Sequence, residues 1–437
     1  MRKKIEIILS STIFAVILIT LLSINAFPQE SIDVNIDKAI EMAFEASEKY
    51  KIKENEIHVN ESKHREAKAG LYPHLNSTTT WCNNFKYPNN PLLLMNTYEI
   101  EGNINMTQLL YSFGRVSNSI KAAQKGVNIS RLNKERERID IIFNTKVRYY
   151  AAMFAQKSLL IMQESLNNAV ENKTILESGS ALGRISKMDN IKILADISSR
   201  KPMVNNAKTA RGSTMKSLKN ILGVDETLEV NLVDQFDSDY IDIEKELYLK
   251  SFDEKEPTIE ALAERIKLTE DIIKIKKAEF MPLVSMYGAW TNVGTSNKAH
   301  IDKNNFNDYG VAGVVVTFPI FNGGEKQEQL NQAKIDNDNA KLIRKQVKEE
   351  LMLALSTAID EYYDYINTLR ADFESVQYAK DSFLMHQDLL KVGKVTLTEV
   401  NDAELLLARM KLNKENTLFM INSTMARIER LSAIEVK

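Results

Sequence analysis

The chain has 437 residues, of which 44% are hydrophobic and 27% charged, and its 57 basic and 59 acidic residues give a net charge of −2. No basic block is present to follow a phosphate backbone, so nucleic acid is not an expected partner. Beyond residue 25 no run approaches the roughly 20 apolar residues of a membrane helix, which excludes a polytopic helical membrane protein. The single cysteine, Cys82, excludes an internal disulfide and a paired-cysteine redox or zinc site.

Residues 1–26 are predicted to be a cleaved signal peptide. A basic start at Arg2 is followed by an apolar run from Ile7 to Leu22, and Ala26 is the expected last residue of the removed segment. The alternative is an uncleaved anchor helix. Both interpretations predict export, and no cysteine lies near the cleavage site to carry a lipid.

Two parts of the remaining chain share one plan. Pro73 aligns with Pro282 at an offset of 209 residues, and Gly114 aligns with Gly324 at an offset of 210. The offset is still 210 where LGRISKMDN, at 182–190, aligns with VGKVTLTEV. Three landmarks in register predict a tandem duplication, each half reading helix, proline, strand, loop, strand, glycine turn, long helix, glycine, helix.

This plan predicts the domain boundaries. The first structural repeat covers residues 27–223, a linker or equatorial segment covers 224–257, and the second repeat covers 258–437. Each repeat is expected to hold one strand hairpin and one long helical hairpin. The strand hairpins are expected at about 75–108 and 283–318, and the helical hairpins at about 113–222 and 323–432.

The segment from Tyr98 to Thr107 alternates between apolar and polar residues, which indicates a strand with one apolar and one water-facing side. Partner strands are predicted at Leu75–Phe85, Leu283–Val293 and Tyr309–Phe318. Each has about the ten residues that a tilted strand needs to cross a bilayer. Four strands cannot close a barrel, and open edges are not tolerated in lipid, so a membrane location predicts several chains sharing one barrel.

A small soluble sandwich is the alternative for these strands. Aromatic residues cluster in and beside them, and aromatic residues at the ends of apolar-banded strands are typical of the two membrane interfaces. This pattern favours the membrane. The residues are Trp81, Tyr87, Tyr98, Tyr287, Trp290 and Tyr309.

Long helices are predicted after each strand hairpin. The stretch from Glu325 to Val392 contains neither proline nor glycine, and its apolar residues recur with the 3.5-residue period of a coiled-coil seam. Gly183 and Gly393 are expected to end the helices before the chain runs back, and Pro202 is expected to break the first return helix. The predicted seams are Leu355, Ile359, Tyr362, Ile366, Leu369, Phe373 and Val376, and in the first half Ile139, Phe143, Val147, Tyr150 and Phe154.

Each long helix is preceded by a joint that combines an aromatic residue with glycine. In MTQLLYSFGR these are Tyr111 and Gly114, and in VTFPIFNGG they are Phe321 and Gly324. Pro319 cannot donate a hydrogen bond to a sheet, so it is expected at the end of the strand. Glycine permits the backbone angles of an abrupt turn.

Taken together, these motifs resemble the TolC family of outer membrane efflux proteins over nearly the whole mature chain. The resemblance implies a mainly α fold with a membrane β-barrel portion. Each protomer of a homotrimer contributes four strands to a shared 12-stranded barrel, above long antiparallel helices that form an α-helical periplasmic tunnel. The motifs are AGLYPHLNSTTTW (69–81), AEFMPLVSMYGAW (278–290), TQLLYSFGRVSNSIKAA (107–123), TFPIFNGGEKQEQLNQA (317–333), LKVGKVTLTEVNDAELLLAR (390–409) and LKNILGV (218–224).

The resemblance also implies a function without a cofactor. We expect an exit channel in outer membrane lipid that extends into the periplasm and belongs to a tripartite efflux or type I secretion system. It passively conducts substrate that an inner membrane transporter and a periplasmic adaptor supply, and it is gated at the periplasmic helix reversals. The alternative is an anchored, non-conducting coiled-coil structural or adaptor protein, which leaves the amphipathic strands unexplained.

Several residues near the helix reversals resemble the family's aperture. By position after the glycine, Glu399 and Asp402 resemble the acidic ring and Asp189 a tethering residue of the other hairpin. The alternative for Glu399 and Asp402 is a local one, because carboxylates in the first turn favour the positive end of a helix. The turns at Gly183 and Gly393 are the expected contacts of the adaptor, by helix-to-helix packing.

The hydrogen bonds or ion pairs that hold the aperture closed in this family are not all expected in this chain. Val395 stands at a position where the family can carry a tethering arginine, and Lys394 or Arg184 are the candidate substitutes. No Ser-His-Asp set, phosphate loop or metal-ligand cluster is recognisable, and the histidines lie apart, so neither catalytic nor metal-binding residues are expected.

Overall fold

The computed structural model describes residues 31–85, 96–180, 187–236 and 243–434. The predicted signal peptide, most of the first strand-connecting loop with Tyr87, and the turn at Gly183 and Arg184 lie outside these ranges. Within them the chain is mainly helical with a four-stranded sheet, which confirms the predicted composition of the fold. Taken over the same ranges, none of the helices is long and apolar enough to span a membrane.

The described part forms six strands and eight α-helices, and a short 3-10 turn at Lys303–Asn305. The strands are β1 (Ser31–Val34), β2 (His74–Asn83), β3 (Tyr98–Tyr111), β4 (Glu229–Leu232), β5 (Leu283–Ser296) and β6 (Phe306–Thr317). The helices are α1 (Ile36–Ala46), α2 (Glu48–Ala69), α3 (Arg115–Ser180), α4 (Lys187–Leu222), α5 (Lys245–Lys255), α6 (Pro257–Ala278), α7 (Glu325–Lys391) and α8 (Leu397–Ser432).

These elements belong to two compact units. Unit 1 consists of the described parts of 1–47, 140–245 and 357–430. Unit 2 consists of the described parts of 48–139, 246–356 and 431–437. Unit 2 therefore contains the four-stranded sheet, and unit 1 contains the α7–α8 reversal.

The sheet of unit 2 is antiparallel, with strand order β2-β3-β5-β6. Ile104 of β3 is paired with Ser77 of β2 on one side and Trp290 of β5 on the other. Directly paired residues of antiparallel strands point to the same face, so Ile104 and Trp290 share a face. Glu101, paired with Thr80 and Val293, faces the opposite side.

The two faces of β3 differ sharply in polarity. We call them the apolar face and the polar face of the sheet, and define them by the residues of β3 and their paired neighbours. Strand β3 is longer than predicted and carries a β-bulge near its end, because Leu109 is paired with Ser285 but Tyr111 with Val284. The apolar face of β3 has Tyr98, Ile100, Gly102, Ile104 and Met106, and its polar face has Glu99, Glu101, Asn103, Asn105 and Thr107.

Helix α6 of unit 2 begins at a buried carboxylate. One oxygen of Glu256, whose side chain is 0% exposed, accepts a hydrogen bond from the backbone N–H of Ile259 at 2.8 Å. The other oxygen accepts one from Nη1 of Arg136 at 2.8 Å. Pro257 occupies the first helical position, where its missing N–H costs nothing. A single side chain therefore caps α6 and joins it to α3.

A small parallel sheet of β1 and β4 lies in unit 1. The hydroxyl of buried Tyr149 lies 2.9 Å from the Val34 carbonyl oxygen and 3.0 Å from Oδ2 of Asp234, which also accepts the N–H of Ile36 at 2.8 Å. Burial and the Asp234 carboxylate raise the pKa of Tyr149. Burial also raises the pKa of the neighbouring Tyr150 to about 12. These contacts tie the start of the described chain to α3.

The seam predicted for α3 is wrong, because the buried residues lie about two positions further along the helix than the predicted ones. Thr145 and Ala152, which sequence periodicity passes over because they are polar or small, are both 0% exposed. Small side chains let neighbouring helices approach closely, so they occupy the deepest positions. The residues on the buried stripe are Ile141, Thr145, Tyr149 and Ala152, whereas Ile139, Phe143, Val147, Tyr150 and Phe154 are partly exposed.

The seam predicted for α7 is correct over most of its length. Leu355, Ile359, Tyr362, Ile366 and Leu369 are all buried. Phe373 departs from the prediction: it is 43% exposed, and the ammonium of Lys414 lies 5.5 Å from its ring centre. The seam is interrupted at Phe373 but continues beyond it, because Val376 is partly buried against a cluster that includes Ala379 and Phe383.

The predicted break at Pro202 is also wrong, because α4 continues through it from Lys187 to Leu222. Proline removes the hydrogen bond to the carbonyl of Ser198, and its ring crowds the same carbonyl. Both residues are exposed, so water can reach that carbonyl. The helix accommodates the proline at its solvent side.

Candidate functional site

Helix α7 ends in a glycine turn. The N–H of Gly393 bonds to the Leu390 carbonyl at 3.0 Å, and the N–H of Lys394 bonds to the Leu389 carbonyl at 3.0 Å. This pair of bonds is a Schellman motif, in which the glycine takes a left-handed conformation, here with φ of +73°. A side chain at position 393 would strain that conformation, which accounts for the glycine that the sequence placed at the reversal.

Helix α8 begins three residues later in a capping box. The Glu399 carboxylate accepts hydrogen bonds from the backbone N–H of Thr396 at 2.7 Å and from its hydroxyl at 2.8 Å. In return the Thr396 hydroxyl oxygen accepts the N–H of Glu399 at 3.4 Å. The backbone N–H of Thr396, followed by its hydroxyl, lowers the pKa of Glu399. The geometry thus gives Glu399 a local role that its position in the sequence also allowed.

The apolar packing of the reversal determines which acidic residues face outward. Val400 is 0% exposed and packs with Leu390, Phe383 and Leu407 in one cluster. Glu399 and Asp402 flank the buried positions and are exposed. A charged residue on this exposed surface is available to a pore or to solvent.

The other predicted aperture residues have different environments. Asp189 lies in the first turn of α4, and its side chain is outside the described part of the chain, as is Gly183. Val395, at the position of the family's arginine tether, packs partly buried against the cluster around Val400. Lys394 is exposed. An apolar contact therefore stands where the family can carry an ionic one.

Because Glu399 titrates, the capping box predicts a pH-dependent helix start. A carboxylate with a lowered pKa contributes stability above its unfolded pKa, near the ordinary value of 4.5, and loses it as the pH falls through the folded value. We expect amide exchange at Thr396–Val400, corrected for intrinsic rates, to accelerate selectively below about pH 4.5. Glu399→Gln keeps the hydrogen bonds without titrating, so it should remove this pH dependence. Persistence of the dependence in that variant would assign it to another group.

The first strand-to-helix joint is built around two residues with positive φ. Phe113 has φ of +49° and Gly114 has φ of +88°, and α3 begins at the next residue. The ring of Tyr111, the last residue of β3, meets that of Phe113 edge to face with centroids 4.6 Å apart. The aromatic residue and the glycine predicted for this joint are therefore both placed at the turn.

The second joint uses two glycines for the same turn. Gly323 and Gly324 have φ of +66° and +85°, and α7 begins directly after them. Pro319 follows two residues after the end of β6, as expected for a residue that cannot donate to the sheet. Phe321 is 88% exposed, so its ring is available to lipid or to a partner.

A buried polar cluster in unit 1 was missed from the sequence. We call it the Arg200 cluster, and its members are Arg200, Asp196, Ser165, Asn168 and Glu404. The guanidinium of Arg200 on α4 donates to the carboxylate of Glu404 on α8, and both side chains are 2% exposed. The detectable signal is that Glu404 occupies an apolar seam position, four residues after Val400 and three before Leu407.

Over the described ranges, no group of three or more His, Cys, Asp or Glu side chains is placed to hold a metal ion. The structure offers two candidate functional sites. One is the helix reversal with the adjacent Arg200 cluster in unit 1, and the other is the four-stranded sheet with its strand-to-helix joints in unit 2.

Comparison with known proteins gives the following matches. Residues 249–425 match the family model of outer membrane efflux proteins. No curated protein matches the sequence significantly.

Several solved structures share the fold over nearly the whole chain. The CmeC outer membrane channel of Campylobacter jejuni has a TM-score of 0.80 at 16% identity, over 91% of this chain and 85% of that one. The outer membrane protein VceC of Vibrio cholerae has 0.77 at 15%, over 91% and 95%. The open state of the MtrE outer membrane channel of Neisseria gonorrhoeae has 0.75 at 16%, over 91% and 88%. At these identities the likeness shows the fold.

Proposed function

We propose that this chain is the outer membrane exit channel of a tripartite efflux or type I secretion system, because residues 249–425 match the family model of outer membrane efflux proteins and the fold matches a solved outer membrane channel over 91% of the chain. The protein resides in the outer membrane and extends into the periplasm. It conducts substrate passively from an inner membrane transporter and a periplasmic adaptor to the exterior.

The sheet of unit 2 is the observation that carries this proposal. Strands β2 and β6 are its edges, and each has one neighbouring strand. On the apolar face Trp290 is 47% exposed, Ile104 42% and Val314 63%. A sheet that exposes such residues along its strands fits lipid, and open edges are not tolerated there. Pairing β6 of one copy with β2 of the next closes a 12-stranded barrel from three chains.

The helices supply the periplasmic part of the proposed channel. In a homotrimer the α7–α8 reversal occurs three times, so Glu399 and Asp402 bring six carboxylates to one opening. Such a ring favours cations. The adaptor binds at the reversals around Gly183 and Gly393 by helix packing. Asp189 of the other hairpin contributes to the same aperture.

The alternative function is a non-conducting periplasmic adaptor, and cell fractionation separates the two. The channel predicts a detergent-stable, heat-modifiable trimer in the outer membrane that resists a carbonate wash. An adaptor predicts a protein that the wash releases as a monomer. The channel predicts in addition a defined conductance of the purified trimer in planar bilayers.

Cation selectivity tests the proposed aperture. Glu399→Gln with Asp402→Asn removes the six carboxylates but keeps the capping box, which accepts glutamine in place of glutamate. We expect the permeability ratio of cation to anion, measured from reversal potentials, to fall toward one. The control is Glu226→Gln, which neutralises an exposed carboxylate in the turn between α4 and β4. Unchanged selectivity in the double variant would remove these two residues from the pore.

A further inference from the structure

The Arg200 cluster joins three helices within unit 1. Arg200 donates through Nη1 to the Glu404 carboxylate on α8, and through the same atom to the hydroxyl of Ser165 on α3 at 2.7 Å. Its Nε donates to Asp196, one turn earlier on α4, at 2.9 Å. The Glu404 carboxylate also accepts from Ser165 at 3.1 Å and from Asn168 at 3.4 Å. The first helix after the reversal is thereby bonded to both helices of the other hairpin.

These bonds are strengthened by the burial of the charged groups that form them. Arg200 and Glu404 are each 2% exposed, and Asp196 is 16% exposed. Bonds between charged groups are stronger than neutral ones, and a low local dielectric strengthens them further. Separation of α8 from α3 and α4 therefore has to break several bonds to the same two charges.

Packing alone does not require this cluster. Glu404 is buried between Val400 and Leu407, at a seam position where the coiled-coil pattern predicts an apolar residue. Replacing a buried ion pair with apolar residues is often neutral or stabilising, so its presence at a seam position points to a role other than stability. The best-attested such role is to fix a register or to hold a switch.

We propose that Arg200 and Glu404 form an ionic latch that holds α8 against α3 and α4, and that opening at the α7–α8 reversal requires the latch to break. A contact that is present in one state and absent in the other sets the equilibrium between the two. The part of this inference that concerns conduction rests on the proposed function. The part that concerns the latch does not depend on conduction, because it predicts only the positions of α3, α4 and α8.

Distances between spin labels test the latch directly. Exposed Lys192 on α4 and exposed Thr398 on α8 are replaced by cysteine in a Cys82→Ser background, and labelled chains are diluted with unlabelled ones so that each trimer carries one pair. In Glu404→Gln the charge is lost while the shape is kept. We expect the population at longer distance to grow at least tenfold, equivalent to about 1.4 kcal/mol.

A matched control joins α8 to α3, one of the two helices that the Arg200 cluster bonds to α8. Lys411 of α8 bonds to Glu164 of α3 at 2.7 Å, but Glu164 is 52% exposed and Lys411 25%. Exposed pairs contribute little, so Lys411→Met should leave the distances unchanged. If Lys411→Met lengthened the distances as much as Glu404→Gln, a general loosening would replace the latch.

A second variant guards against misfolding caused by one unpaired charge. Arg200→Met with Glu404→Gln removes the ionic link while leaving no charge at either of the two most buried positions. It should assemble as a trimer and show the same longer distances as Glu404→Gln. Wild-type distances in this assembled variant would overturn the latch.

Bilayer recordings of the same proteins separate the two hypotheses. The latch together with the channel predicts a raised open probability in both cluster variants and not in Lys411→Met. If the wild-type trimer and all variants fail to conduct, the proposed function is wrong, and the distances alone decide on the latch. Longer distances without any rise in the open probability of a conducting trimer would separate the latch from the gate and overturn its role in opening.

Discussion

Ile104→Arg is expected to prevent the protein from assembling in the outer membrane. Ile104 lies in the middle of β3 on the apolar face, next to Trp290, and is 42% exposed in a single chain. An arginine on the lipid-facing side of a membrane strand costs about 2–4 kcal/mol at the bilayer midplane. A trimer contains three copies, so the cost is repeated around one barrel. We expect the heat-modifiable trimer to disappear from outer membrane fractions.

Glu101→Arg is the control for this prediction, because it places the same residue three positions earlier in the same strand but on the polar face. It should assemble normally and alter only the charge of the proposed lumen. Normal assembly of Ile104→Arg would contradict the assignment of the apolar face to lipid. If the trimer disappeared in both variants, β3 would be sensitive to arginine on either face.

Glu256→Ala is expected to lower the stability of unit 2 substantially, because it removes two buried interactions at once. The substitution removes the N-cap of α6, worth about 1 kcal/mol, and the buried carboxylate that faces Arg136. Breaking a buried pair from one side costs about 3–5 kcal/mol, but Arg136 keeps 19% of its side chain exposed. We therefore expect a total of about 3 kcal/mol, measured as a lower midpoint of helix loss in thermal or denaturant unfolding.

Two variants resolve the parts of this effect. Glu260→Ala removes an exposed carboxylate from the same first turn of α6, so it measures the interaction with the helix dipole alone and should change stability little. Glu256→Gln retains an oxygen for the Ile259 N–H but loses the charge. Its stability should lie between those of the wild type and Glu256→Ala. Equal stability of Glu256→Ala and Glu260→Ala would show that the buried pair contributes nothing.

Sequence patterns identified the strands of the four-stranded sheet and the long helices, but not the polar contacts between the helices. The alternation in β3 and the glycines before α3 and α7 are local signals, because each reflects the backbone geometry of its own segment. The four strands and both long helices follow from them. The same reasoning failed at Pro202, where solvent on one side of α4 can satisfy the carbonyl that the proline leaves unbonded and so reduces the penalty.

The candidate site was predictable only in part, for a physical reason. Glu399 and Asp402 follow a glycine, so their positions could be inferred from spacing, and the local alternative for Glu399 now has a geometry in the capping box. The Arg200–Glu404 pair joins two residues that are 204 positions apart in the chain. A single sequence records that Glu404 is charged at a seam position, but only packing identifies its partner.

The bulge at the end of β3 has a consequence for the joint that follows it. Glu99, Glu101 and Thr107 all have odd numbers, and unbroken alternation would place Tyr111 on the same polar face. Because Leu110 is an extra residue, the parity of the strand changes and Tyr111 is paired with Val284, on the side of Ile104. One inserted residue thus decides that the aromatic ring at the exit of the strand lies with the apolar face, where a membrane interface accommodates it.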